Sequence, residues 1–150
     1  MSARPTTTSQ VRTDQRPTTG RRAGYVIAIG VNGLLLWLLF QLGDWGWPAF
    51  VTDDLALVVG AVSASLVASV LANGVYLVAD GGRIRAAGEL VTTSVGLVAA
   101  VRVWDVFPFD FSAYAVDWTW LVRTLLVIAI VGSMVAIVVH LVRLVRPDPD

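Results

Sequence analysis

The sequence predicts an all-α fold: a polytopic membrane protein with four transmembrane helices in an up-down bundle. Of its 150 residues, 56% are hydrophobic and 15% are charged, whereas ordinary soluble domains carry about 25% charged residues. The apolar residues are collected in four runs, and each run has about the 20 residues that cross ~30 Å of hydrocarbon as a helix. A soluble protein of this length could not bury so much apolar surface.

The predicted elements follow the chain in order. The first 22 residues are rich in Thr, Arg, Pro and Gln, so we expect them to form a disordered cytoplasmic tail. Residues 23–146 form the predicted transmembrane domain, and residues 147–150 form a short cytoplasmic tail. The four helices are expected at about 24–42, 55–79, 86–107 and 121–144.

Charge placement predicts the orientation. The N-terminal tail is rich in arginine, and Arg83 and Arg85 lie between the second and third runs. The other two connections contain acidic residues and no base, as Asp53 and Asp117 illustrate. By the positive-inside rule, both termini lie in the cytoplasm and the protein resides in the cell membrane. Tryptophans cluster at the predicted outer boundary, as in an aromatic belt; these are Trp45, Trp47, Trp104, Trp118 and Trp120.

Composition excludes several kinds of site. The chain has no cysteine and a single histidine, which excludes disulfides, thiolate metal sites and multi-histidine metal centres within one chain. It contains no nucleophile elbow, zinc-protease motif, phosphate loop or dinucleotide fingerprint. We therefore predict no catalytic residue, no metal and no cofactor. The expected partners are the lipid bilayer and a second copy or another membrane protein, and no nucleic acid.

Glu89 and His140 form the first candidate site. Helical periodicity puts Glu89 on the small and polar face of the third helix with Thr92, Gly96 and Ala99, and this face is expected to look into the bundle. His140 lies on the small-residue side of the fourth helix at a similar depth. An ionisable pair at membrane depth suggests a proton relay. Their shallow depth favours the other interpretation, a structural hydrogen bond or two side chains that reach to the interface.

Two further groups of polar residues lie within the apolar runs. Asn32 and Asn73 have similar depths in the first hairpin and are predicted to pair as interhelix amides. Arg102, Asp105 and Arg123 lie near the outer boundary. Arg102 and Asp105, three residues apart, can pair along the helix as an outer-rim anchor. A partner-binding surface is the alternative for these charges.

The segments "GYVIAIGVNGLLLWL", "DWGWP", "SLVASVLANGVYLVAD" and "VRVWDVFPFDF" resemble those of small four-helix membrane proteins of unknown function from high-GC Gram-positive bacteria. The resemblance covers most of the chain from about residue 24. It implies the same topology and carries no activity, ligand or site residue. Because it lacks catalytic motifs, the sequence favours a non-catalytic accessory or self-associating membrane subunit. The alternative is a small transporter or proton-coupled permease that uses Glu89 and His140.

Overall fold

The protein is built from four long helices that alternate in direction. A computed structural model describes residues 18–79 and 81–145. The helices are α1 (Thr18–Trp45), α2 (Ala56–Val78), α3 (Gly82–Val106) and α4 (Thr119–Val145). A single turn of 3₁₀ helix, Asp53–Leu55, precedes α2. All four are long and apolar enough to span a membrane, so the predicted all-α, four-helix fold class is confirmed.

Helices α1 and α3 begin several residues earlier than the sequence predicts. The tail expected to be disordered through residue 22 is helical from Thr18, and α3 starts at Gly82 rather than at about residue 86. The prediction followed the apolar runs, but backbone hydrogen bonds continue a helix past the hydrocarbon boundary wherever no breaker intervenes. Residues 1–17 of the predicted N-terminal tail, the last residue of the predicted transmembrane domain and the predicted C-terminal tail, 147–150, lie outside the described residues.

Only consecutive helices pack along their length. Within the described chain α1 packs on α2, α2 on α3 and α3 on α4, whereas α1 and α4 do not pack on each other. Four of the buried apolar residues in the described chain belong to the two central helices; they are Val58, Tyr76, Ala86 and Ala99, and Pro108 in the connection after α3 is buried as well. The fold is therefore an open row centred on the α2–α3 hairpin, and α1 and α4 form its two flanks.

The two longer connections meet at one end of the row. Val51 and Phe109 form an antiparallel β-bridge, the amide of Thr52 donates to the carbonyl of Pro108 at 3.1 Å, and the amide of Asp110 donates to the carbonyl of Phe50 at 2.9 Å. The ring of Phe50 also stacks on that of Phe111, with centroids 5.8 Å apart. These bonds tie the α1–α2 and α3–α4 connections into one cap, which we call the acidic-end cap.

Several hydroxyl groups within the apolar helices bond to their own backbone. Thr92 Oγ1 donates to the Gly88 carbonyl at 2.9 Å, and Ser94 Oγ donates to the Leu90 carbonyl at 2.8 Å. Without water, each polar group in hydrocarbon needs an internal partner. Such bonds to the preceding turn let polar residues remain inside a membrane-spanning helix without a partner on another helix.

Candidate functional site

The polar face of α3 is directed into the row, as its periodicity predicts. Glu89, Thr92 and Gly96 are part-buried and Ala99 is buried. The opposite face carries Val91, which is 56% exposed. This rotation of α3 decides which of its ionisable residues can meet a neighbouring helix.

Glu89 contacts two basic side chains. Its Oε2 atom lies 3.2 Å from Nδ1 of His140 on α4, and its Oε1 atom lies 3.3 Å from Nη2 of Arg85 one turn earlier on α3. The His140 side chain is only 14% exposed. Its Nδ1 atom is buried and makes no aligned hydrogen bond despite the short distance. The predicted proximity of Glu89 and His140 is thus present, with Arg85 as a third member.

Aromatic side chains extend this site to the other two helices. The hydroxyl of Tyr76 on α2 donates to the Arg85 carbonyl at 3.3 Å. The ring of Tyr25 on α1 lies against the Tyr76 ring, with centroids 5.5 Å apart. Every helix therefore contributes to one group of side chains at the arginine-rich end, which we call the basic-end cluster: Tyr25, Tyr76, Arg85, Glu89 and His140.

The close approach of α2 to α3 depends on a glycine. A Cβ atom at Gly88 would collide with the Tyr76 hydroxyl and would lie 2.9 Å from two of its ring carbons. Gly88 thus leaves the space in which Tyr76 reaches the backbone of α3. This contact joins the two central helices at the residue that precedes Glu89.

The predicted amide pair is not formed. Asn32 Nδ2 donates to the Ala28 carbonyl and Asn73 Nδ2 donates to the Ser69 carbonyl, each at 2.8 Å and each within its own helix. Relative to the Tyr25–Tyr76 contact, Asn32 lies seven residues further along α1, but Asn73 lies only three residues back along α2. The two amides therefore differ in depth by four residues, about 6 Å at ~1.5 Å per residue.

The outer-rim charges separate into two environments. The guanidinium of Arg123 lies 4.4 Å from the Phe107 ring centroid and 5.1 Å from that of Trp104, as in a cation–π contact. Arg102 and Asp105 are exposed, and no ion pair joins them in the part of the chain that the structure describes. The expected Arg102–Asp105 pair is thus not formed. Arg123 instead contacts the two aromatic rings at the end of α3.

Sequence reasoning missed Arg85, Tyr76 and Tyr25. The pairing of Arg85 with Glu89 could have been predicted, because opposite charges four residues apart on a helix lie close enough to form an ion pair. The tyrosines are harder to find, because periodicity places a ring on a face without saying which neighbour it meets. The sequence offered one signal for them: Tyr25 and Tyr76 lie at similar depths in the hairpin formed by α1 and α2.

The basic-end cluster brings together a carboxylate, a guanidinium, an imidazole and two phenol rings. A carboxylate between a guanidinium and an imidazole can accept hydrogen bonds from both. No group of three or more His, Cys, Asp or Glu residues suited to a metal lies together in residues 18–79 and 81–145.

No family model, curated protein or solved structure matches this chain. The resemblance to small four-helix membrane proteins therefore stays a prediction.

Proposed function

We propose that this protein is a non-catalytic subunit of the cell membrane, with both termini in the cytoplasm, that associates laterally with a second copy of itself or with another membrane protein. The observation that supports this proposal is the open row of helices. Among the described residues, α1 and α4 each pack on one neighbouring helix, and no other helix packs along their opposite flanks. In lipid, helices associate by close packing and hydrogen bonds, so a free flank is a surface that another helix can occupy.

Cysteine crosslinking in native membranes tests the association, because the natural chain has no cysteine. Leu34→Cys on α1 and Val135→Cys on α4 place single thiols at positions that are 61% and 60% exposed. We expect one of them to form a disulfide-linked dimer, or an adduct of larger mass with another protein. Leu71→Cys, 64% exposed on the central helix α2, is the control and should stay monomeric.

Native mass spectrometry in mild detergent gives the second measurement. A dimer or a stoichiometric complex agrees with the proposal. A monomer without a partner, together with no crosslink from either flank, contradicts it.

Proton-coupled transport is the second candidate, and the Glu89–His140 distance of 3.2 Å favours it. The carboxylate and the imidazole would exchange a proton as it enters from the basic end. In proteoliposomes that contain a pH-sensitive dye, Glu89→Gln should abolish proton flux. The exposed Asp105→Asn is the matched control and should retain it. Equal flux in native protein and Glu89→Gln removes this candidate.

A further inference from the structure

An apolar groove runs along the seam between α1 and α2. Its volume is about 540 Å³. Its lining contains no charged residue, and its members are Ile29, Val70, Leu71, Gly74, Val75, Val78 and Ala79. Gly74 helps to open the groove, because a Cβ atom built there meets nothing within 4 Å. The groove is thus an open, apolar depression between two helices that are long and apolar enough to cross a membrane.

The groove lies at the arginine-rich end of the molecule. Val78 is the last residue of α2 and Ala79 caps it, so the groove ends at the short link to α3. On α1, Arg22 precedes Ile29 by seven residues, which puts the two side chains on the same face about 10 Å apart along the axis. Arg22 is exposed, and so is Arg83 at the start of α3.

We propose that this groove binds one acyl chain of an anionic phospholipid, with Arg22 contacting the phosphate. Charge complementarity selects this occupant over a second copy of the chain. An apolar channel with a cation at one end matches an amphiphile that has hydrocarbon below and a negative headgroup above. Arg85 is already paired with Glu89, which leaves Arg22 and Arg83 for the headgroup. This inference does not depend on the oligomeric state or on proton transport.

Native mass spectrometry of the full chain tests the proposal. The protein is equilibrated in mild detergent with equal amounts of phosphatidylglycerol and phosphatidylcholine that carry identical acyl chains. We expect preferential retention of one phosphatidylglycerol. Arg22→Gln should reduce the preference for phosphatidylglycerol about five-fold, since one arginine near an anionic headgroup contributes ~1 kcal/mol. Arg102→Gln, exposed on α3, should leave the preference unchanged.

Gly74→Leu tests the groove itself. A Cβ atom at this position meets nothing within 4 Å and Gly74 lines the groove, so the variant should fold, occupy part of the groove and lose the bound lipid. Gly60→Leu is the matched control, because Gly60 lies on the same helix and its Cβ position is equally open. Equal loss in both glycine variants, unchanged retention in Gly74→Leu, or an unchanged lipid preference in Arg22→Gln overturns the proposal. So does a dimer that dissociates only in Gly74→Leu, because a second copy would then occupy the groove.

Discussion

Gly88 is the residue at which the packing of α2 on α3 tolerates no side chain. We predict that Gly88→Ala destabilises the folded protein by about 1–3 kcal/mol, the usual cost of overpacking a tight contact. The new methyl group would displace the Tyr76 hydroxyl and break its bond to the Arg85 carbonyl. The measurement is the free energy of unfolding in detergent, followed by circular dichroism.

Gly96→Ala on the same helix is the control that distinguishes the steric effect of the added methyl group from its effect on helix propensity. A Cβ atom at Gly96 meets nothing within 4 Å, and alanine in a helix interior is favoured over glycine by about 0.5–1 kcal/mol. The control should therefore be neutral or slightly stabilising. If Gly88→Ala behaves in the same way as Gly96→Ala, the Tyr76 contact does not restrict the packing.

At the scale of the elements, a cation–π contact of Arg123 joins the start of α4 to the end of α3. Phe107, which caps α3, has a φ of 43° in the left-handed region, a conformation that a bulky residue rarely adopts. The Arg123 guanidinium lies over its ring. We predict that Arg123→Gln lowers the free energy of unfolding by about 0.5–1 kcal/mol, the value of an exposed cation–π contact.

Arg102→Gln is the control for Arg123→Gln in the same unfolding measurement. Arg102 is exposed on α3, and such a surface substitution should change stability by less than about 0.5 kcal/mol. Equal effects of the two substitutions would show that the ring contacts of Arg123 do not stabilise the end of α3.

The connection before α4 should respond to acid. Asp110 accepts a hydrogen bond from the amide of Ser112, and Asp117 accepts one from the amide of Thr119, each at 2.9 Å. The hydrogen bonds with Ser112 and Thr119 lower the pKa of each carboxyl below the ordinary value of 3.8. Because the folded pKa is lowered, the stabilisation is complete above the unfolded pKa and is lost as pH falls through the folded pKa.

We therefore predict that the thermal midpoint in detergent falls as the pH is lowered below about 4. Asp110→Asn combined with Asp117→Asn should reduce this fall, because each amide oxygen still accepts the bond but no longer titrates. Asp54→Asn, exposed in the other connection of the acidic-end cap, is the control and should keep the native pH profile. Identical profiles for the double variant and the native protein would contradict the assigned role of these carboxyls.

The elements were predictable to different degrees, and the reason is physical. The position of each helix depends on the average hydropathy of about 20 residues, so a single polar residue does not change the predicted position. The helix ends depend on single backbone hydrogen bonds, which is why α1 begins at Thr18 and not at about residue 24. Glu89 and His140 were found because face and depth both agreed. The Asn32–Asn73 pair failed because a shift of one turn between α1 and α2 cannot be read from periodicity.

At the scale of the whole molecule, the two ends of the row differ in charge. Arg22, Arg83 and the basic-end cluster lie at one end, and the acidic-end cap lies at the other. The β-bridge between Val51 and Phe109 requires both of the longer connections to lie on the same side of a membrane. Any experiment that locates one connection therefore locates the other.

Labelling of single cysteines tests the predicted orientation. Ala113→Cys places a thiol at an exposed position of the acidic-end cap, and Gly82→Cys places one at the arginine-rich end, where a Cβ atom meets nothing within 4 Å. We predict that a membrane-impermeant maleimide modifies Ala113→Cys in intact cells and modifies Gly82→Cys only after permeabilisation, because arginine-rich connections stay in the cytoplasm. Ala49→Cys, exposed in the other connection of the cap, should react as Ala113→Cys does. The reverse pattern would place the termini outside, and different labelling of positions 49 and 113 would contradict the bridged cap.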